Sequence, residues 1–320
     1  MDFSVVLITM GASFVLSVVL APLLIPILRR LKFGQQIRAE GPAGHLKKKG
    51  TPTMGGIIIL LTAAIAFYRF AGGSREFYVL LVAALGSGFI GFLDDYIKIV
   101  FKRSLGLTAG QKLFGQLVVA AAVCWLLASA GHDTGVYFPP LKFSLDLGWL
   151  YYPFFILFML GFSNAVNFTD GLDGLLSGTA AIAFGALCII AMYRTEPETA
   201  VFSAAMIGAL LGFLVFNAHP AKVFMGDTGS LGIGGGLAAA AALTKTELVL
   251  VVIGGVFVLE ILSVILQVIS FKTRGKRIFK MSPIHHHFEL SGWSEWRIVV
   301  TFWAAGLCFA AAGIFLNEGF

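Results

Sequence analysis

Five aspartates, Asp94, Asp95, Asp170, Asp173 and Asp227, each stand at the end of a long apolar run. A carboxylate in hydrocarbon costs roughly 2.5–3.5 kcal/mol at a helix centre and less near the interface, so five of them mark a site. Lys98, Lys112 and Lys222 stand close to them in sequence, and a separate segment carries the run His285–His287. Carboxylates repel phosphates, so acids and phosphate-binding bases share a pocket sensibly when a divalent cation bridges them. Magnesium favours a few carboxylates supplemented by substrate phosphates and water. The residue types therefore point to phosphate chemistry around a metal.

Five motifs supply these residues. In Gly91-Phe92-Leu93-Asp94-Asp95-Tyr96-Ile97-Lys98, adjacent acids diverge by about 100° on a helix, which favours a division of labour between them. The alternative is a solvated helix end with i,i+4 ion pairing. In Asn164 to Gly174, Asp170 and Asp173 are three apart and neighbours if the backbone is helical, while Gly171 and Gly174 allow a tight turn. The stretch Asn217 to Ser230 is not a Walker A. Its Asp227, beside glycine and hydroxyl residues before a helix start, suits a magnesium ligand next to a diphosphate. Phe224 would stack on a base or pack ordinarily. In Met281 to Glu289, His285, His286 and His287 lack the i,i+4 spacing of a helical zinc pair. They fit phosphate binding amid Lys272, Arg274, Lys276, Arg277 and Lys280, or a plain interfacial loop. Finally, His45-Leu46-Lys47-Lys48-Lys49 precedes Gly50-Thr51-Pro52-Thr53-Met54-Gly55-Gly56. A basic run there serves orientation and anionic-lipid contact as readily as catalysis.

The elements that must position these residues are membrane helices. Of 320 residues, 58% are hydrophobic and only 12% charged, about half the charge of a soluble domain. Apolar runs near 20 residues predict an all-α polytopic integral membrane protein. Ten helices are expected, at about 3–28, 54–70, 77–93, 113–130, 150–167, 175–193, 199–217, 231–243, 247–271 and 298–316. The chain is expected to form a single transmembrane domain over 1–320. The first run lacks a basic n-region and is too long for a signal h-region, so it is kept as a span. The 23 Lys and Arg then sort by side. Arg69, Arg75, Lys142, Arg194 and Lys245 fall on one side and all others on the opposite one. The positive-inside rule makes the richer side cytoplasmic, with both termini outside and an active-site cleft on the cytoplasmic face. The outer segment 131–149 alternates between turn residues and is expected to form a small hairpin. Gly208 with Gly212, and Gly232 with Gly236, are packing pairs. Pro22 and Pro26 are expected to kink the first helix. Glu260 and Gln267, seven apart, share a helix face. Cys124, Cys188 and Cys308 have no ligand spacing and are expected to be buried thiols.

Taken together and in this order, the five motifs resemble the polyprenyl-phosphate N-acetylhexosamine-1-phosphate transferases. The unbroken His285–His287 followed by Phe288-Glu289 is similar to the muramoyl-pentapeptide branch of that family. The resemblance spans residues from about 45 to 297. It implies transfer of phospho-MurNAc-pentapeptide from UDP-MurNAc-pentapeptide to undecaprenyl phosphate, giving lipid I and UMP with Mg2+ as cofactor, in a bacterial plasma membrane. It also implies roles. Asp227 matches a magnesium ligand and Asp94 a base for the lipid phosphate, with Asp95 in the same acidic pair. Lys112 matches a basic residue of the cleft. Asn167, Asp170, Asp173, Asn217 and Lys48 match positions on the nucleotide side, and Thr53 belongs to the adjoining substrate-binding turn. Phe224 matches an aromatic under uracil. His286 and His287 match residues near phosphates or sugar, and His285 and Gln267 are assigned to substrate binding. Ser104 departs from the family, which commonly has Asn there.

The sister enzymes that transfer N-acetylglucosamine-1-phosphate are one alternative. An ion-coupled transporter is another, but it calls for acids at the bilayer midplane and inverted repeats, and the Asp motifs do not repeat. The spaced Asp-Gly…Ala-Arg…Asp pattern of CDP-alcohol phosphotransferases is absent. Partners are expected to be the two substrates and the lipid bilayer, with no nucleic acid. A homodimer is compatible with the sequence, which leaves oligomeric state open.

Overall fold

Why does a glycine- and alanine-rich stretch sit at the centre of this protein? The computed structural model describes residues 2–30, 50–101, 105–138 and 143–317, and its helices answer through packing. They are α1 (Phe3–Arg30), α2 (Gly56–Phe70), α3 (Arg75–Val100), α4 (Ala109–Ser129), α5 (Tyr151–Thr169), α6 (Leu175–Tyr193), α7 (Pro197–Asn217), α8 (Gly226–Leu243), α9 (Glu247–Ile253), α10 (Gly255–Arg274), α11 (Ile284–Glu289) and α12 (Glu295–Asn317). Nearly all of α8 is buried. A Cβ on Gly235 would stand 2.6 Å from the Ala83 carbonyl of α3, and one on Gly234 2.5 Å from Ser163 Cα of α5. Small residues thus let α3 and α5 close onto α8 backbone to backbone. The Gly208–Gly212 pair does the same for α7 against α1, where a Gly208 Cβ would be 2.1 Å from the Met10 carbonyl.

Among the described residues, eight helical segments are long and apolar enough to cross a membrane, and Gly56–Phe70 is a shorter apolar helix. Apolar side chains on their outer faces are exposed, including Leu157, Trp125 and Phe315. This is an integral membrane protein. The helix α1 runs unbroken through Pro22 and Pro26.

Three expectations need correcting. The third helix does not stop at residue 93 but continues to Val100, so Asp94 and Asp95 lie inside it. The expected span 247–271 is two helices, α9 and α10, broken at Gly254. Phe162 of α5 and Phe309 of α12 fill that notch, where Cβ atoms on Gly254 and Gly255 would come within 2.4 and 2.7 Å of their rings. Cys308 is exposed, whereas Cys124 and Cys188 are buried.

At one end of the bundle the expected hairpin forms from β1 (Gly135–Phe138) and β2 (Phe143–Asp146). They are antiparallel, with Gly135 opposite Asp146 and Phe138 opposite Phe143. A polar network lies beneath it. The Tyr151 hydroxyl donates to Glu247 Oε1 at 2.6 Å, His132 Nε2 is 3.0 Å from that hydroxyl, and Lys245 Nζ donates to the Asp133 carbonyl at 2.6 Å. The sparse basic residues Arg75 and Lys245 lie at this end. The acidic motifs lie at the other.

Candidate active site

The acidic end is assembled where α3, α4, α5 and α8 meet. Because α3 extends past the membrane run, Asp94 and Asp95 sit one turn before Lys98, a geometry that pairs i with i+4. Lys98 Nζ is 2.5 Å from Asp94 Oδ2 and 3.0 Å from Asp227 Oδ2. Lys112, in the first turn of α4, is 3.0 Å from the same Asp227 oxygen. Its helix is started by a capping box in which Thr108 and Gln111 bond reciprocally, which fixes where Lys112 emerges. Asn167, in the last turn of α5, donates to Asp227 Oδ1 at 2.9 Å and accepts from Lys112 Nζ at 3.2 Å.

The adjacent acids divide their work as the 100° divergence requires. Asp95 turns to α8, where its Oδ2 accepts from the Thr228 N–H at 2.9 Å and the Thr228 hydroxyl at 2.8 Å. It therefore fixes the start of the helix that carries Asp227. Asp94 accepts from the Leu107 N–H at 2.9 Å through Oδ1 and shows Oδ2 to Lys98. Gly226 makes the approach work. It has φ +74°, and a Cβ there would lie 2.6 Å from Asp95 Oδ2 and 2.8 Å from Thr53 Oγ1. Only glycine adopts that conformation without strain. Thr53 is thus behind Asp227, in a segment whose backbone pairs with 224–225: Phe224 N donates to the Pro52 carbonyl, and Gly55 and Gly56 donate back to Phe224 and Met225.

One oxygen each from Asp94, Asp95 and Asp227 lies within 4.8 Å of the others, close enough to hold a metal ion. An all-carboxylate set suits a hard cation. Three carboxylates face two ammonium groups, Lys98 and Lys112, at the N-terminus of α8, where the helix dipole favours anions. The pocket can therefore accept both a cation and phosphates. Asp170 lies beside it in the turn after α5. Burial, with Asp227 and Asp95 nearby, pushes its carboxyl up to about 8.

The second acid of that turn, Asp173, is held by the segment after α7 and by α12. Its Oδ2 is 3.0 Å from His219 Nδ1 and accepts from the Ala221 N–H at 3.1 Å. Glu295 Oε2 also approaches His219 Nδ1, at 3.1 Å, and Glu295 Oε1 accepts the Asp173 N–H at 2.8 Å. This second group of possible ligands ties α12 to the acidic turn. Asn217 is buried, with Oδ1 accepting from Gly174 N and Ser177 Oγ and Nδ2 donating to the Val223 carbonyl. It ties the end of α7 to the start of α6 and to the segment before α8. Phe224 is half-buried.

The histidines separate. His286 pairs through Nδ1 with Glu289 at 3.1 Å, and His287 Nδ1 accepts the Lys280 N–H at 3.2 Å; both rings are half-buried. His285 has no exposed surface and its Nδ1 meets Glu260 Oε1 at 3.0 Å. Gln267 accepts from Ile278 and Phe279 N–H groups and donates to the Phe279 carbonyl. His285 and Gln267, expected to contact substrate, are thus engaged with protein. Lys48 and Ser104 lie outside the described residues. The sequence reading missed Lys98, Thr228, His219 and Glu295 as site-building residues. Lys98 was signalled by its i,i+4 spacing and Thr228 by its motif, whereas no local pattern points to Glu295.

Comparison with known proteins gives the family of the chain. The family model described as glycosyl transferase family 4 matches residues 77–245, and a phospho-N-acetylmuramoyl-pentapeptide-transferase signature matches residues 48–60. Proteins of that same name from Bacillus velezensis, Halalkalibacterium halodurans and Bacillus subtilis are 58%, 59% and 59% identical over 317 residues. Each match covers 98% of both chains.

Proposed function

The chain belongs to the phospho-N-acetylmuramoyl-pentapeptide transferases and transfers phospho-MurNAc-pentapeptide to undecaprenyl phosphate in peptidoglycan synthesis, and we propose that this transfer takes place at the Asp94–Asp95–Asp227 cluster. The carrying observation is the convergence of these three carboxylates from two helices with Lys98 and Lys112 between them. An oxygen of the lipid phosphate attacks the β-phosphorus of UDP-MurNAc-pentapeptide. A new P–O bond forms, the P–O bond to the α-phosphate breaks, and UMP leaves with the electron pair.

Little covalent help is needed for such a displacement, so positioning and charge neutralisation carry most of the rate enhancement. Magnesium held by Asp227, flanked by Asp94, would supply neutralising charge for the diphosphate. Lys98 and Lys112 act on the same oxygens as point charges. Asp94 orients the acceptor phosphate or removes its proton, while Asp95 keeps the start of α8 in place. Asn167 holds Asp227 and Lys112 in one geometry. Asp170, Asp173 and Phe224 line the nucleotide side, and His286 and His287 stand nearer the sugar phosphates. The count of ten spans treats α9 and α10 as one bent span and includes α2 and α8. With the basic-rich end cytoplasmic, both termini face out and the cleft opens to the cytoplasm of the plasma membrane.

UMP release in detergent, with and without magnesium, tests the site. Asp227→Ala is expected to lose nearly all activity while keeping its fold, and full activity would remove Asp227 from the metal role. Incubation with labelled donor and no acceptor tests direct attack: UMP release with a trapped aspartyl phosphate would establish a two-step route instead.

A further inference from the structure

The helix α10 has two faces. One is apolar and exposed, with Leu259, Leu262, Ile265, Leu266 and Ile269 each more than 40% accessible. The other carries Glu260, which has no exposed surface. A carboxylate so placed needs a partner, because burying an unpaired charge is strongly unfavourable. The partner is His285 of α11, also fully buried, with Nδ1 3.0 Å from Glu260 Oε1. A carboxylate only accepts, so the hydrogen between them sits on Nδ1 and the far nitrogen of the ring is aimed by the pairing.

That far nitrogen has an unusual position. His285 Nε2 is buried without a hydrogen-bond partner among the described residues, as is Glu260 Oε2. A buried pair left half satisfied calls for an explanation beyond gluing two helices together. The object against Nε2 is Gly171: a Cβ there would stand 2.1 Å from Nε2 and 2.6 Å from Cε1. The imidazole therefore occupies the space that any side chain at 171 would take. Gly171 directly follows Asp170, and the same turn contains Asp173. Glu260 and His285, both buried, and Gly171 thus form a continuous contact from a helix that meets lipid to the turn that carries Asp170 and Asp173.

We propose that Glu260 is a positioning residue for the transfer, holding the Asp170–Asp173 turn in register through His285 and joining that turn to the lipid-facing helix. The proposal rests on the cleft reading above. Glu260 touches neither substrate. It acts by setting the direction of the His285 ring, and the ring acts by filling the space over Gly171. A pair that merely fastened α10 to α11 would be indifferent to what stands at position 171.

Steady-state UMP release, with UDP-MurNAc-pentapeptide and polyprenyl phosphate varied in turn, separates the two accounts. Glu260→Gln keeps an acceptor for the Nδ1 hydrogen and is expected to hold kcat/KM within about threefold of the parent. Glu260→Ala frees the ring, and Gly171→Ala drives it away from the turn. Each is expected to lower kcat/KM for the donor by at least about tenfold. The double variant is expected to be no worse than the weaker single, since both break one linkage. Losses that multiply in the double variant, or a Glu260→Ala enzyme within about threefold of the parent, overturn the proposal. Should Glu260→Ala fail to fold, Glu260→Met fills similar volume without an acceptor and must show the same loss. Asp227→Ala, assayed alongside, isolates the two readings: activity there removes the cleft assignment itself. An inactive Asp227→Ala enzyme with multiplying losses removes only the linkage.

Discussion

Gly91→Ala is the sharpest perturbation of the geometry, because it adds one methyl group and no chemistry. Gly91 lies one turn before the acidic pair on α3. A Cβ there would stand 2.0 Å from the Asp227 carbonyl oxygen, 2.3 Å from its carbon and 2.6 Å from Thr228 N. Ordinary contact begins near 3.4 Å, so the two helices must part by about 1.4 Å or tilt to the same effect. The neighbour is backbone at the start of α8, which has no rotamer by which to escape. Overpacking of this kind costs about 1–3 kcal/mol in stability. The consequence for rate is larger. Asp227 rides on the displaced backbone, and a shift near 1 Å in catalytic geometry costs on the order of 10²-fold. Gly91→Ala is therefore expected to lower kcat by about 10²-fold while the protein still extracts and melts cooperatively at a reduced temperature. Gly161→Ala is the matched control, since nothing lies within 4 Å of a Cβ there. Coupled measurement of UMP release and thermal unfolding in detergent gives both numbers. A Gly91→Ala enzyme within about threefold of the parent would refute the claim that the α3–α8 contact sets the site.

Lys98→Ala leaves Asp94, Asp95 and Asp227 facing one another and keeps, among the described residues, the Lys112–Asp227 ion pair. Its melting temperature is expected to fall in chelator and to recover as magnesium is added; no difference from the parent in chelator would be the contrary result. The Asp170 carboxyl, raised by burial to about 8, contributes stability that is complete below the ordinary carboxylate range and lost as pH rises through about 8. In chelator, Asp170→Asn should therefore flatten the fall in melting temperature between about pH 4 and 8, and an unchanged slope would contradict the assignment. Tyr151→Phe removes the donor to Glu247 Oε1 at the opposite end of the bundle. It is expected to cost about 1–3 kcal/mol of stability with kcat unaltered; an equal loss of kcat would show that the two ends are coupled.

The sequence by itself determined the membrane character, the sidedness of charge and the identity of the motifs. Hydrophobic run length and loop charge are local quantities that need no folding to evaluate. It also placed the hairpin, because alternation and turn residues act over a few positions. The partition of Asp94 and Asp95 followed from helical periodicity alone, but the partner of each did not. Only the tertiary structure decided that Asp95 caps α8, that Lys98 and Lys112 share one oxygen of Asp227, and that Glu295 reaches the acidic turn from the far end of the chain. It likewise paired His285 with Glu260 and Gln267 with the Ile278–Phe279 backbone, and broke the expected span at Gly254, where rings from two other helices fill the notch. These outcomes depend on which helices touch and how closely. Contact between distant segments is set by the shapes of both partners, which no single segment's composition encodes.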